Sequence, residues 1–497
     1  MGETPISRIV IAGGGSAGWM TAAALGRFLD SRYQLTLVES EAIGTVGVGE
    51  ATIPQINLFN AGLGIEERQF VAATQATYKL GIEFEGWTRP DHRYMHAFGP
   101  VGRGLGLVPF HHLWLKARAA SIAEEYGAYS LNETAARAGR LTRRAQAGGT
   151  LPDLVHAYHF DAGLYAAFLR RFAEANGVRR VEGRIVSVER NGESGDIAAL
   201  LLDGERRVEG QLFIDCTGFR SLLVGETLAS PFIDWSHWLP CNRALAVPCE
   251  RSPAFRPYTQ SIAREAGWQW RIPLQHRTGN GHVYCSEFLS DDEAAAILLA
   301  NLDGQPLDEP RPLRFTTGRR AEPWRGNCVA LGLAAGFMEP LESTSIHLVQ
   351  AGIARLLTYL PRTAIDPAMR AEFNRLSAFE WERIRDFIIL HYKANGRPGP
   401  FWRRCREMAV PDSLAEKLEP WRAGARIHRE HEELFTEEGW AQVLIGQDVR
   451  PAEWHPLADQ VEGEELGGYL KTLRAAYVQK VAAMPTHAEV VRAAAAA

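Results

Sequence analysis

The sequence predicts an α/β fold, with a parallel dinucleotide-binding sheet carrying a mostly helical second module. Three observations predict it. Residues 9–25, IVIAGGGSAGWMTAAAL, set a short apolar strand directly against Gly13-x-Gly15-x-x-Gly18 and then a helix. A second apolar run, Leu35 to Val38, ends at Glu39, about 20 residues past the glycines. Two later segments, LFIDCTGFRS (212–221) and CVALGLAAGFMEPLESTSIHL (328–348), again run a strand into a glycine turn. Both deliver backbone to the carboxyl ends of strands, where open α/β sheets bind ligands.

Each element follows from its residues. In the opening turn the first glycine permits the bend, the second lets a pyrophosphate approach the backbone, and the third lets helix and strand pack closely. The phosphates of FAD or NAD then meet the N–H groups and positive dipole of the helix entered through Ser16 and Ala17. Glu39 suits an unphosphorylated ribose, which disfavours NADP. Next comes a glycine-punctuated strap, GTVGVGEATIP (44–54), and a helical pattern from Glu66 through Tyr78 that breaks into KLGIEF.

Residues 61–175 read as a largely helical insertion, closing with a helix for which Asp161 is the N-cap. From 181 to 215 the period changes to two, with Asp203-Gly204 as a hairpin turn and a last strand returning to the nucleotide sheet. Antiparallel strands continue through WQWRIPL (268–274) and HVYCSEF (282–288), followed by the buried strand CVALGL and a helix starting near Ser343. From about 365 onward the segments read as helices with mixed apolar and charged faces. The organisation expected is a nucleotide module over 1–60 and 176–360, with substrate-side modules at 61–175 and 361–497.

Composition narrows the class. Hydrophobic content of 46%, charged content of 23% and a net charge of −5 describe an ordinary globular protein without the basic excess that nucleic acid selects. The six cysteines are scattered with no C-x-x-C pair, which fits a reducing cytoplasm and excludes a cysteine-zinc motif. The first strand begins within eight residues, leaving no room for a signal peptide, and no apolar run approaches the ~18 residues of a membrane span. The pairs His111-His112, His156/His159 and His428/His431 lack a ligand set at metal spacing and read as structural.

Five motifs in order carry a more specific signal: Gly13-x-Gly15-x-x-Gly18, GVGEATIP, YKLGI, WQWRIP and PLEST. In these the chain resembles the tryptophan halogenase family of flavin-dependent enzymes, from its first strand to at least residue 360. The resemblance implies a three-layer, flavin-monooxygenase-like FAD module with a mostly helical substrate module. It implies that reduced FAD from a separate flavin reductase reacts with O2 and a halide, chloride or bromide, to make hypohalous acid. That oxidant then halogenates a distant electron-rich aromatic. The family includes dimers, although no exposed stripe in this sequence argues for one.

The resemblance also assigns roles. Lys79 matches the catalytic lysine, which holds the oxidant by hydrogen bonding or as a haloamine, and Glu342 matches the catalytic carboxylate. Beyond the glycines and Glu39, the cofactor is expected against Val48, Gly49, Glu50 and Ala51 of the strap and against Ile185, Leu333 and Ile346. Thr344 and Ser345 fall at the halide position, where Ser345 replaces the glycine usual after EST. Trp268, Trp270, Ile272 and Pro273 match the barrier between flavin and substrate, and His96 and Phe98 match the pair lining the aromatic ring. A plainer reading makes Ser343 and Thr344 N-caps, Glu342 a first-turn helix acid and the two tryptophans ordinary core.

One departure bears on substrate. The stretch LFTEEGWAQVLIGQ has no tyrosine where tryptophan-specific members carry a tyrosine-rich grip, so an indole or another electron-rich aromatic is expected rather than free tryptophan. An FAD-dependent monooxygenase or reductase of the same fold is the alternative, and it needs neither Lys79 nor Glu342. A flavin-fold binding module without catalysis is the third reading.

Overall fold

In a computed structural model that describes residues 5–42, 49–143, 151–252 and 255–496, the chain divides into two units. The first comprises residues 1–75, 160–237 and 315–382, and the second 76–159, 238–314 and 383–497.

The first unit is built on a six-stranded sheet in the order Trp324–Arg325, Cys328–Ala330, Leu212–Asp215, Arg8–Ala12, Gln34–Glu39, Arg179–Glu182. Its strands are parallel except at the Trp324–Arg325 edge. Ile9 to Ala12 are at most 1% exposed, as expected of a strand covered on both faces, which is why this run shows no alternation. The opening helix, Ser16–Phe28, follows directly. Asp161 caps the helix Ala162–Ala175 as predicted, its carboxylate accepting from the N–H groups of Gly163 (3.0 Å) and Leu164 (3.1 Å). The period-two stretch forms a small antiparallel sheet, with Asp203 and Gly204 in the turn between its last two strands. Leu212–Asp215 then returns to the main sheet beside Arg8–Ala12.

The second unit holds a seven-stranded sheet in the order Arg311–Arg314, Arg243–Cys249, Thr278–Tyr284, Gly267–Pro273, Thr259–Arg264, Gly81–Glu85, Arg93–Ala97. All its pairs are antiparallel except Thr259–Arg264 with Gly81–Glu85. Helices from 110–137 and from the C-terminal third share a core of Val101, Phe110, Leu113, Trp114, Tyr126, Leu466 and Leu470.

Two expectations change. The helix read through Tyr78 stops at Ala73, because Gln75 takes a positive φ of 53° and Thr77–Lys79 forms a short strand paired with Ala157–His159. The 61–175 segment is therefore less helical than its pattern suggested, giving two strands to the large sheet. The consecutive blocks read from the sequence also differ from the contact units. Residues 238–314, placed with the nucleotide module, belong to the second unit, and 160–175 belong to the first. Sequence order hides this because strand pairing, not adjacency, decides membership. No described helix is long and apolar enough to cross a membrane.

Candidate functional site

In the first unit the glycine turn has the shape its sequence predicts. Gly13 sits at φ +108°, and a Cβ there would lie 2.3 Å from the Cys216 carbonyl oxygen. At Gly18 a Cβ would lie 1.8 Å from the Gly13 oxygen, so helix and turn are in contact at that point. Gly15 has nothing within 4 Å, and Gly13 to Ala17 are all half-exposed. The turn thus leaves one open face, beside Gly15, at the N-terminus of a 13-residue helix with no side-chain cap. Those N–H groups, without a side-chain cap among the described residues, fit an anionic pyrophosphate.

Glu39 lies against this turn: a Cβ on Gly14 would fall 1.5 Å from its Oε2. Its carboxylate already accepts from the Arg180 Nε (2.6 Å) and the Trp19 Nε1 (3.2 Å). Neither partner was singled out in the sequence, yet together they fix the acid at the end of its strand. Asp215 was also passed over. It is fully buried and accepts from the N–H groups of Thr217, Leu223 and Val224, shaping the loop that presents Cys216 to Gly13. Of the strap, Val48 lies outside the described residues, while Gly49–Ala51 forms a short strand in which burial raises the Glu50 carboxyl to about 7. Ile185 begins an edge strand of the small sheet, and Leu333 lies in the turn after Cys328–Ala330.

Glu342 is buried and closes a short turn, Pro340–Glu342, that precedes the helix Ser345–Thr358. Ser343 follows in the left-handed region (φ 59°), so the acid stands apart from the helix and is not one of its first-turn residues. Thr344 occupies the N-cap position, but its side chain makes no capping bond. Its buried Oγ1 has no hydrogen-bond partner among the described residues. A buried unpartnered hydroxyl beside uncapped helix N–H groups is a polar niche that an anion satisfies. Ser345 is half-buried and Ile346 buried in the first turn of the same helix.

In the second unit Lys79 is 0% exposed, which a lysine tolerates only in a defined polar or aromatic setting. Its Nζ lies 5.4 Å from the centroid of the Phe98 ring. The short strand carrying it is held from several sides. Thr77 Oγ1 donates to the Pro273 carbonyl at 2.6 Å, tying the strand to the end of WQWRIP. His159 donates through Nδ1 to Thr77 Oγ1 (3.1 Å) and accepts at Nε2 from Thr259 Oγ1 (2.9 Å), an assignment that follows from the Thr77 proton going to Pro273. Burial and the nearby Lys79 charge hold this imidazole neutral, well below its ordinary value. The Tyr78 N–H donates to His487 Nε2 (3.1 Å), and His487 Nδ1 donates to the Phe255 carbonyl (3.0 Å). His487 opens the helix His487–Ala495, so the last helix of the chain fastens the backbone next to Lys79.

His96 is buried and Phe98 half-buried on either side of Ala97. Gln442 clamps that residue twice, accepting from its N–H (3.0 Å) and donating to its carbonyl (3.1 Å). The His96 ring lies 5.5 Å from Phe387 and 6.0 Å from Phe435, which stack on each other at 3.8 Å. Trp440 meets Phe387 edge-on. The segment noted for its missing tyrosines therefore supplies the aromatic wall through Phe435, Trp440 and Gln442. Trp268, Trp270 and Ile272 alternate along one strand face, with the two indoles 6.1 Å apart. Gly281, across the sheet from Trp270, has no room for a Cβ, which would fall 2.0 Å from the indole.

Comparison with known proteins identifies the family. A family model described as tryptophan halogenase matches residues 8–463. The solved structure of Xcc4156, a flavin-dependent halogenase from Xanthomonas campestris, superposes with a TM-score of 0.96 at 51% identity, covering 99% of this chain and 98% of that one. BrvH, a flavin-dependent halogenase from Brevundimonas sp. BAL3, superposes with a TM-score of 0.95 at 45% identity, covering 98% and 99%. The tryptophan 6-halogenase SttH of Streptomyces toxytricini is 36% identical over 441 residues, 84% of each chain.

Proposed function

The chain belongs to the tryptophan halogenase family and is a flavin-dependent halogenase, and we propose that it halogenates an indole or similar electron-rich aromatic through Lys79, using reduced FAD from a separate reductase. The observation that carries this reading is Lys79 itself, an ammonium wholly removed from water and facing the ring of Phe98. The chemistry a bound reduced flavin supplies is the two-electron oxidation of halide by O2 to hypohalous acid. Gly13, Gly15 and Gly18, with the helix N-terminus at Ser16, would hold its pyrophosphate, and Glu39, oriented by Arg180 and Trp19, would hold the ribose.

The protein's own groups then do the rest. The Thr344 hydroxyl and the N-terminal N–H groups of its helix bind the halide. Lys79 Nζ donates hydrogen bonds to hypohalous acid, or carries the halogen as a haloamine, next to the aromatic ring. Burial keeps bulk water away from this reactive species. His96 and Phe98, backed by Phe387 and Phe435, pack the ring. By the family match, Glu342 is the carboxylate assigned to take the proton that the ring loses as aromaticity returns. Trp268 and Trp270 keep substrate from the flavin. Free tryptophan is a poor substrate on this reading, since LFTEEGWAQVLIGQ offers no tyrosine for its amino-acid head.

Mass spectrometry of indole and tryptophan incubated with the protein, FAD, a flavin reductase, NADH and bromide or chloride tests the proposal. A single halogen on indole, with little on tryptophan, is the expected result. Hydroxyindole without halogen would favour a monooxygenase instead.

A further inference from the structure

A cleft of about 630 Å3 opens in the second unit, within the size range of small-molecule sites. It is lined by the loop from Pro100 to Phe110 and by the first residues of the helix Glu437–Gly446. Both walls run on in sequence from the aromatic site. Pro100 lies two residues beyond Phe98, and Glu437 and Glu438 immediately precede Gly439, where a Cβ would lie 3.1 Å from His96 Nε2. The glycine thus lets the helix backbone pack closely against the ring-lining histidine, one residue on from the two acids that line the cleft.

The lining has two characters. Phe110, His111, His112 and Tyr126 are buried. His111 Nε2 donates to the Ala425 carbonyl (3.0 Å), and His112 Nδ1 accepts from the His455 N–H (3.2 Å). Burial, with Arg426 close by, keeps both imidazoles uncharged, His112 down to about 3. Against this neutral floor stand Arg103, Arg426, Glu437 and Glu438. None of the four forms an ion pair with another described residue. The cleft therefore presents two positive and two negative groups around an aromatic floor, with no net charge of its own.

We propose that this cleft receives the remainder of a substrate whose ring lies at His96 and Phe98, and that this remainder is a peptide-like chain bearing both an amine and a carboxylate. The inference rests on the halogenase reading above and gives its substrate a class. Indole alone would use none of the four charges. An amino-acid head group, about the size of three waters at roughly 30 Å3 each, would fill about a seventh of the volume. A ring on a short zwitterionic peptide fills more of it and meets charges of both signs.

The test compares indole, free tryptophan and the tripeptide Lys-Trp-Asp as substrates of the full chain with FAD, reductase and bromide. The tripeptide is expected to exceed free tryptophan in kcat/KM by at least about tenfold. Replacing Arg426 and Glu438 together (R426A and E438A) is expected to remove most of that advantage through KM while leaving indole turnover within about twofold. Both side chains are exposed, so folding is not at stake; binding of the tripeptide by calorimetry, without flavin or O2, gives a second readout that should weaken in parallel. A tripeptide no better than tryptophan, or a double variant that alters indole and tripeptide equally, would overturn the proposal. Failure of the unaltered enzyme to halogenate indole would instead overturn the reading beneath it.

Discussion

A lysine with no exposed surface, and a buried threonine hydroxyl with no hydrogen-bond partner among the described residues, each give a residue-scale prediction. Lys79→Ala should lower indole halogenation by at least about a hundredfold, as loss of a group acting on the reactive species does, while flavin reoxidation by O2 continues. Thr344→Val keeps the shape of its site but removes the hydroxyl. If the halide is held there, its apparent KM should rise about tenfold, because one hydrogen bond to an ion contributes about 1.5 kcal/mol or more. Unchanged halide saturation would return Thr344 to a plain helix-end role. His487 acts at one remove from Lys79, as a positioning residue. His487→Gln keeps an acceptor for the Tyr78 N–H and should retain most activity; His487→Leu should lower kcat with little change in KM and let more hypohalous acid escape to a trapping dye.

At the scale of elements, the opening turn separates two glycine roles that look identical in sequence. Gly15→Ala has open space for its methyl and should fold within about 0.5 kcal/mol of the parent, yet weaken FAD binding, read by fluorescence titration. Gly18→Ala drives a methyl to 1.8 Å from a backbone oxygen and should cost about 1–3 kcal/mol in stability by itself. This unit was largely legible in the sequence, because glycine spacing, the Asp161 cap and the Asp203-Gly204 turn are local signals. The strand carrying Lys79 was not. Its helical reading came from periodicity across 66–78, whereas its real conformation is set by pairing with Ala157–His159 and by His487, more than 400 residues away in sequence. The aromatic wall was half legible: MHAFG gave His96 and Phe98, but Phe387 and Gln442 reach them from remote helices, and Phe435 from the bend before one, that no local pattern connects. Arg180 and Trp19 went unnoticed for the same reason, being remarkable only once Glu39 is seen between them.

For the molecule as a whole, pH is the most direct probe of how much charge the fold refuses to bury. His112, His282 and His487 are buried and neutral, lowered from 6.5 to about 3, about 4 and about 4. The unfolded chain binds protons at these positions between roughly pH 6.5 and 4 while the folded chain does not, so their stabilisation is complete above 6.5 and is lost as pH falls. Glu50 opposes them, since a carboxyl raised to about 7 contributes stability that fades as pH rises from 4.5 through 7. Burial also lowers His92, His111 and His159, and it raises Glu133, Asp215 and Asp386; the lowered imidazoles outnumber the raised carboxyls, and the thermal midpoint should fall steadily from pH 6.5 to 4.5, whereas a flat profile would mean that water reaches these histidines. The central claim is the reaction at Lys79, and mass spectrometry of indole treated with bromide, O2 and reduced FAD tests it most directly, run in parallel with the parent protein and Lys79→Ala. The account predicts monobromoindole, with its paired bromine isotope peaks, from the parent and none above background from the variant, whereas equal bromination by both would contradict it.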